Sequence, residues 1–315
     1  MKIARYQSAA GPERLGIVTS VSGREMLVDV AKAAAVRGGP SISTSGTPTS
    51  VMGLIEGGAP AMEATRELLT WVADRQDPVW MDDPNSVAWL TPVPEKSMFC
   101  AGRNFGRHKL ESMKGEAGNA SKLHSDFPTG FVKLGRTLVP HKSQVRRPDD
   151  VLNFDYEVEI ALVLGKAIDA RSDIDPASAI FGYTIFNDLS AREWQLREMQ
   201  NGMIMLGKNF PGFGPLGPYI LTADDVPDPT GLVLWLKVNG ELRQHSDCRD
   251  LIFGFPEMVA FWSRFGLVPG DLISTGTPEG VALHHKPDSH QWYLKPGDRV
   301  EAGVDGIGVL ETFIV

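Results

Sequence analysis

Phe154-Asp155-Tyr156-Glu157-Val158-Glu159-Ile160, followed by Ile180-Phe181-Gly182-Tyr183-Thr184-Ile185-Phe186-Asn187-Asp188, is the part of the chain whose reading decides the rest. The first run alternates polar and apolar residues and predicts a strand, whose side chains alternate faces, so Glu157 and Glu159 point the same way. The second run is apolar until it stops at Asn187-Asp188, which sets another carboxylate at the mouth of a second strand. If the two strands are neighbours, three acids converge. Carboxylates that close repel one another unless a cation neutralises them, and an all-oxygen donor set suits magnesium, manganese or calcium rather than zinc. The same pattern also fits a solvated strand face made by Asp155, Glu157 and Glu159, with Asp188 capping a helix that begins near Ser190. Spacing alone does not choose between them.

Three separated strings bear on that choice: DYEVEIALVLGKAI, GYTIFNDLSARE and LVPGDLISTGTPEGV. In this order and spacing they resemble the fumarylacetoacetate hydrolase superfamily over roughly residues 92–315, and several motifs agreeing together are more specific than any one of them. The resemblance implies a predominantly β, α+β fold: a mixed β-roll catalytic domain, assembled as a homodimer. It also implies that Glu157, Glu159 and Asp188 bind a divalent cation, magnesium or manganese by family habit, with calcium admitted by the donor chemistry.

Working outward, the 315 residues suffice for one large domain or a large one plus a small one. The net charge of -8 argues against a nucleic-acid partner, which calls for clustered basic surface. Cys100 and Cys248 are far apart, with no Cys-x-x-Cys or Cys/His cluster, which argues against zinc and a disulfide framework and fits a reducing cytosol. The N-terminus lacks a signal-peptide core, and no apolar run approaches the roughly twenty residues that span a bilayer. A cytoplasmic protein without a membrane partner is expected.

Residues 1–90 read as short strands (around 2–6, 14–18 and 26–30), a Ser/Thr/Gly/Pro-rich loop at 41–50 and a helix over 60–73 with Pro60 in its first turn. A small N-terminal α+β domain over 1–90 is expected to pack on a catalytic domain over 91–315, with Pro84, Pro92 and Pro94 at the joint.

Further candidates flank the acidic centre. His108 and Glu111 are three apart, so on one helical turn the carboxylate can hold the imidazole; an exposed helix-start pair has the same spacing. The string GRNFGRH with Glu111 resembles the family segment G-x-N-[YF]-x-x-H-x-x-E, which implies a His/Glu base. The polar stretch 112–126 suits a lid. Lys133 resembles the lysine of an F-x-K run, or is an edge charge. Ser190 with Glu193 reads as a helix cap, and the resemblance to S-A-R-[DE]-x-Q implies that Gln195 meets substrate. The Gly/Pro-rich run 207–218 is a shaped loop. Its Lys208 resembles the family's active-site lysine, although Pro211 stands where members often carry Asp. Met203 and Met205 are candidates for an apolar side of the pocket. Thr277, in a string resembling T-G-T-P-x-G-V, is a candidate for binding a substrate carboxylate, or part of a tight turn.

The resemblance implies chemistry on small-molecule 2-oxo acids. For an acylpyruvate, a 2,4-diketo acid, His108 held by Glu111 would activate a water that breaks a carbon–carbon bond, with Lys208 beside the enolate. Isomerisation or decarboxylation of related 2-oxo or 2-hydroxydienoate acids, or cleavage of a diketo sugar acid, fits the same residues. A metal-binding protein without catalysis would need Glu157, Glu159 and Asp188 but not His108, Glu111 and Lys208, and all six are present. Three carboxylates, one divalent cation and Lys208 come close to neutrality, so an anionic substrate calls for further positive or dipolar groups. Arg103 and the 275–281 backbone are at hand.

Overall fold

Val158–Leu164 is buried at every position, which an alternating strand with one wet face would not be. In the computed structural model, which describes residues 1–8, 11–37, 47–75, 78–94, 96–113 and 126–315, this strand lies deep inside a mixed sheet of twelve described strands. Ile180–Asn187 pairs with it antiparallel on one side and Leu272–Ser274 on the other. Beyond Leu272–Ser274 the sheet continues through Met98–Ala101, paired in parallel, to Gly130–Lys133 at the edge.

Two cores explain why the run is apolar at both parities. Val158, Ile160, Leu162 and Leu164 face Leu234, Leu236, Val300 and Val304 of a second, five-stranded sheet. Ala161 and Val163 face Leu54, Ile55 and Leu68 of the helix Val51–Ala73. Each such valine, leucine or isoleucine side chain contributes about 1.5–3 kcal/mol on burial. Odd-numbered residues thus share one face, and at its open end that face carries Glu157 and Glu159 in place of core residues.

The first 90 residues supply a meander, Lys2–Gln7, Glu13–Val21 and Arg24–Asp29, that joins the same sheet through pairing of Lys2–Gln7 with Gly214–Thr222. The helix read over 60–73 begins earlier, at Val51, where Ser50 Oγ accepts the Gly53 N–H. It is kinked at Gly58, whose φ of 56° leaves the helical region, so Pro60 opens the second half. The Gly57-Gly58-Ala-Pro60 break hid the first half from the periodicity. Most of the 41–50 loop and nearly all of the 112–126 lid lie outside the described residues.

Two local expectations are corrected. The run 154–160 is not one strand: Phe154–Asp155 and Val158–Leu164 are separated because Asp155 turns inward to accept backbone N–H groups from Tyr156, Ala282 and Leu283. Ser190 does not cap the helix Arg192–Met199; it lies in the strand Ser190–Ala191, which pairs with Phe154–Asp155. Glu193 accepts from the N–H groups of Leu152 and Asn153 instead of closing a capping box.

Candidate active site

Pairing of Val158 with Asn187 brings the open ends of the two strands together, and the contact is locked by the Asp188 N–H to Glu157 O (2.8 Å) and the Glu157 N–H to Asn187 Oδ1 (2.9 Å). Oxygens of Glu157, Glu159 and Asp188 consequently lie within 4.8 Å of one another, all buried. The solvated-face reading is thereby excluded.

Cations surround this cluster unevenly. Lys208 Nζ, on the turn Leu206–Lys208, is 2.6 Å from both Glu157 Oε2 and Asp188 Oδ2. Lys133 sits on the edge strand but points inward, wholly buried, with Nζ 2.5 Å from Asp188 Oδ1. Arg192 donates to Asp155 Oδ2 (2.7 Å), Glu157 Oε1 (2.6 Å) and Gln195 Oε1 (2.6 Å). Among the described residues Glu159 makes no ion pair; it accepts the Gly276 N–H at 3.1 Å. The titration behaviour follows. Burial opposes charge on Glu157, but Lys208 and Arg192 outweigh it and hold the carboxyl well below the usual carboxylate range. Glu159 is pushed well above that range, first by burial and then by the negative charges of Asp188 and Glu157. Burial likewise opposes the charge on Lys208, and Asp188 and Glu157 overcome it, so the ammonium is held more firmly than usual.

Were all four ionised, Asp155, Glu157, Glu159 and Asp188 would exceed Lys133, Arg192 and Lys208 by one buried negative charge, and Glu159 is the carboxyl that burial and its neighbours keep from carrying it. A hard, oxygen-only donor set with an uncompensated carboxylate fits a divalent cation. Glu157, Glu159 and Asp188 are the residues placed to hold one.

Across a cavity of about 250 Å³ stands the second half of the site. The helix Gly106–Met113 forms as the spacing predicts, and His108 Nδ1 lies 3.2 Å from Glu111 Oε2. Burial alone would raise the Glu111 pKa, but His108, His284 and the Gly280 N–H together lower it. The turn that leads into this helix is fixed by Asn104, whose Nδ2 donates to Phe253 O and Thr275 O, both at 3.1 Å. Arg103, in the same turn with φ 53°, is exposed, lines the cavity and has no ion-pair partner among the described residues.

Other expected residues are placed as follows. Gln195 lines the cavity; with Oε1 taken by Arg192, its amide NH2 is the group it offers. Thr277 also lines it, but its hydroxyl donates to Val158 O (3.0 Å) and accepts from Gln244 Nε2 (2.9 Å). Met203 and Met205 do not line the cavity; they are 62 % and 50 % exposed, and Met199 and Ile204 supply its apolar side. Pro211 is exposed and away from the cavity, so the departure there removes nothing from it.

Sequence reasoning did not single out Arg192, Glu198 or His284, and it read Asp155 only as part of a solvated strand face. Glu198 accepts the N–H groups of Leu206 (2.7 Å) and Gly207 (3.0 Å), which holds the turn carrying Lys208. The S-A-R-E string contained the signal for Arg192, yet an arginine at a helix start usually faces water, and only the strand opposite shows that this one is buried.

With this geometry established, comparison with known proteins matches residues 97–315 to Fumarylacetoacetate (FAA) hydrolase C-terminal. The chain belongs to the fumarylacetoacetate hydrolase family. An oxaloacetate tautomerase of Bacillus subtilis is 33 % identical over 273 residues, 85 % of this chain and 87 % of that protein. Among solved structures, the fumarylacetoacetate hydrolase of Exiguobacterium antarcticum superposes with a TM-score of 0.71 at 26 % identity, covering 100 % of this chain and 99 % of that one. The fumarylpyruvate hydrolase of Pseudomonas aeruginosa, solved with Mn2+ and pyruvate, gives a TM-score of 0.61 at 30 % identity over 71 % of this chain and 91 % of that one. The sheet-dominated α+β fold is that of the family. Among the described residues no helix is long and apolar enough to cross a membrane.

Proposed function

We propose that this chain is a divalent-metal-dependent enzyme acting on small 2-oxo acids, and that it cleaves a carbon–carbon bond in a 2,4-diketo acid of the acylpyruvate type. The observation that carries this reading is the His108–Glu111 pair facing the Glu157/Glu159/Asp188 cluster and Lys208 across one cavity. Glu157, Glu159 and Asp188 would hold magnesium or manganese, which would supply Lewis-acid stabilisation of developing negative charge. With two positive charges added and all four carboxyls ionised, the buried sum is one positive, which suits an anionic substrate.

His108 donates its Nδ1–H to Glu111, leaving Nε2 as the basic nitrogen. Nε2 takes a proton from water as the water oxygen adds to the distal carbonyl carbon. The bond from that carbon to the methylene then breaks, and its electron pair becomes the enolate of pyruvate beside Lys208. The imidazolium returns its proton to the methylene carbon, giving pyruvate and a carboxylic acid. Arg103 and the Gln195 amide are placed to receive substrate oxygens.

A second reading, keto–enol interconversion of an oxaloacetate-like acid, is favoured by the similarity to the Bacillus tautomerase over most of both chains. It uses the same Nε2, which takes a proton from carbon 3 and delivers it to the 2-oxo oxygen. Incubating the protein and magnesium or manganese with acylpyruvates and with oxaloacetate, followed by proton NMR, separates the two. Pyruvate plus a carboxylic acid supports cleavage, accelerated keto–enol exchange without cleavage supports the second reading, and neither product overturns both.

We extend the proposal to a homodimer. Leu134, Trp194, Met205, Leu206, Phe210 and Pro211, with Arg136 and Asn209 among them, line a mainly apolar groove of about 390 Å³ outside the active site, and Leu206 is 54 % exposed. A second copy of the chain is its proposed cover.

A further inference from the structure

His284 is a third titratable group on the base side of the cavity, and the reaction as written makes no use of it. It ends the turn Ala282–His284, which Asp155 anchors through the Ala282 and Leu283 N–H groups. Its ring lies 5.6 Å from that of His108, centroid to centroid. The next residue, His285, is engaged elsewhere: it stacks on Trp292 at 3.7 Å, and its Nε2 is 3.2 Å from Gly280 O.

His108, Glu111 and His284 each offer one ligand-type atom, and the three atoms lie within 4.8 Å of one another. This set differs in kind from the all-carboxylate cluster. Two imidazoles and one carboxylate favour zinc, cobalt or nickel, whereas oxygens alone favour magnesium or manganese. The His108 Nδ1 to Glu111 Oε2 separation of 3.2 Å is close to the about 3.3 Å between two ligands bound tetrahedrally at about 2.0–2.1 Å from zinc. Glu111 is held in place by the Gly280 N–H, 3.3 and 3.4 Å from its two oxygens.

We infer that His108, Glu111 and His284 form a second, inhibitory site for a zinc-like transition-metal ion, separate from the carboxylate centre. A neutral imidazole has one N–H and one lone pair. An ion on Nδ1 of His108 confines the proton to Nε2, and an ion on Nε2 occupies the lone pair itself. In both cases the base has nothing left with which to accept a proton, so zinc stops turnover while the carboxylate centre keeps its own ion. The inhibitory effect rests on the role proposed for His108; the binding does not.

The test is a calorimetric titration of zinc alone into protein stripped with chelator, repeated in saturating magnesium. With magnesium present, one equivalent of zinc still binds, and both His284→Ala and His284→Gln weaken it by at least about tenfold. Cobalt, used as a spectroscopic substitute, develops a visible absorption band in the wild type that both variants lose. In assays, zinc inhibition is not relieved by excess magnesium and is correspondingly weaker in His284→Gln, each protein being compared with its own zinc-free rate. Zinc that magnesium displaces completely, or zinc affinity unchanged in both variants, overturns the inference. If zinc binds as stated but no 2-oxo acid is turned over, the functional reading fails and the site stands; turnover with no magnesium-resistant zinc is the reverse result.

Discussion

Arg192 Nη2 donates to Glu157 Oε1 at 2.6 Å, and the same guanidinium holds Asp155 Oδ2 through Nε at 2.7 Å. One side chain therefore keeps two buried carboxylates in place. Arg192→Met is expected to lower the unfolding free energy by about 3–5 kcal/mol, because it leaves both acids buried without that partner. Arg192→Lys restores the charge but not the planar fork and should lose less. Urea denaturation followed by circular dichroism measures both, and equal stability of Arg192→Met and wild type would show the ion pair to be incidental.

Asp188→Asn removes one negative oxygen without changing volume. Its expected signature is weaker magnesium and manganese binding together with a lower melting temperature, because buried Lys133 and Lys208 lose a charged partner, read by calorimetry and by thermal unfolding of metal-stripped protein. Chelation should abolish turnover and either ion should restore it. Full activity in metal-free protein would remove the cation from the mechanism.

His108→Ala is expected to leave magnesium affinity near wild type and to lower kcat about 100- to 10,000-fold, the usual contribution of a general base. A loss below about threefold would place His108 outside the chemistry.

Leu206→Asp, alone or with Met205→Asp, places charge in the exposed apolar groove beside Trp194 and Phe210. Sedimentation velocity should show a dimer for the wild type and dissociation for the variants. A wild-type monomer at micromolar concentration counts against the dimer, and a variant that dimerises as tightly locates the interface on another face.

His141 Nδ1 accepts the Glu311 N–H at 3.0 Å, so the folded state needs the neutral ring. Burial and then the charge of Lys142 outweigh the pull of Glu311 and push its pKa down to about 4. The unfolded chain, with an ordinary value of about 6.5, binds more protons between those two values, so stability falls as pH drops through that window. His141→Asn should flatten the dependence of Tm on pH there. An unchanged slope would assign the acid sensitivity to other groups.

The strand Ile180–Asn187 was legible because its apolar run is long and stops abruptly at Asn187-Asp188, whereas the alternation over 154–160 read as one strand what Asp155 breaks in two. The three-residue spacing made His108 and Glu111 legible as neighbours on a helix, but only the resemblance to G-x-N-[YF]-x-x-H-x-x-E chose a His/Glu base over an exposed helix-start pair. What could not be read was which charges are buried. Lys133 on an edge strand and Arg192 at a helix start both sit where solvated residues usually do, and only pairing at long range turns them inward. Counting Lys208 alone gave, with a divalent cation, a pocket near neutrality; adding Lys133, Arg192 and Asp155 makes it net positive. Likewise, prolines near residue 90 say nothing about the pairing of Lys2–Gln7 with Gly214–Thr222.

Glu198 grips the backbone of Leu206 and Gly207 from the last turn of the helix Arg192–Met199, and between these anchors the chain at 200–203 is exposed. Insertions or deletions at that tip can reshape the rim near Ile204 while Lys208 keeps its place between Glu157 and Asp188. Substrate preference can therefore drift over evolutionary time without the reaction being lost on the way, and a library confined to 200–203 is the corresponding route to altered specificity in the laboratory.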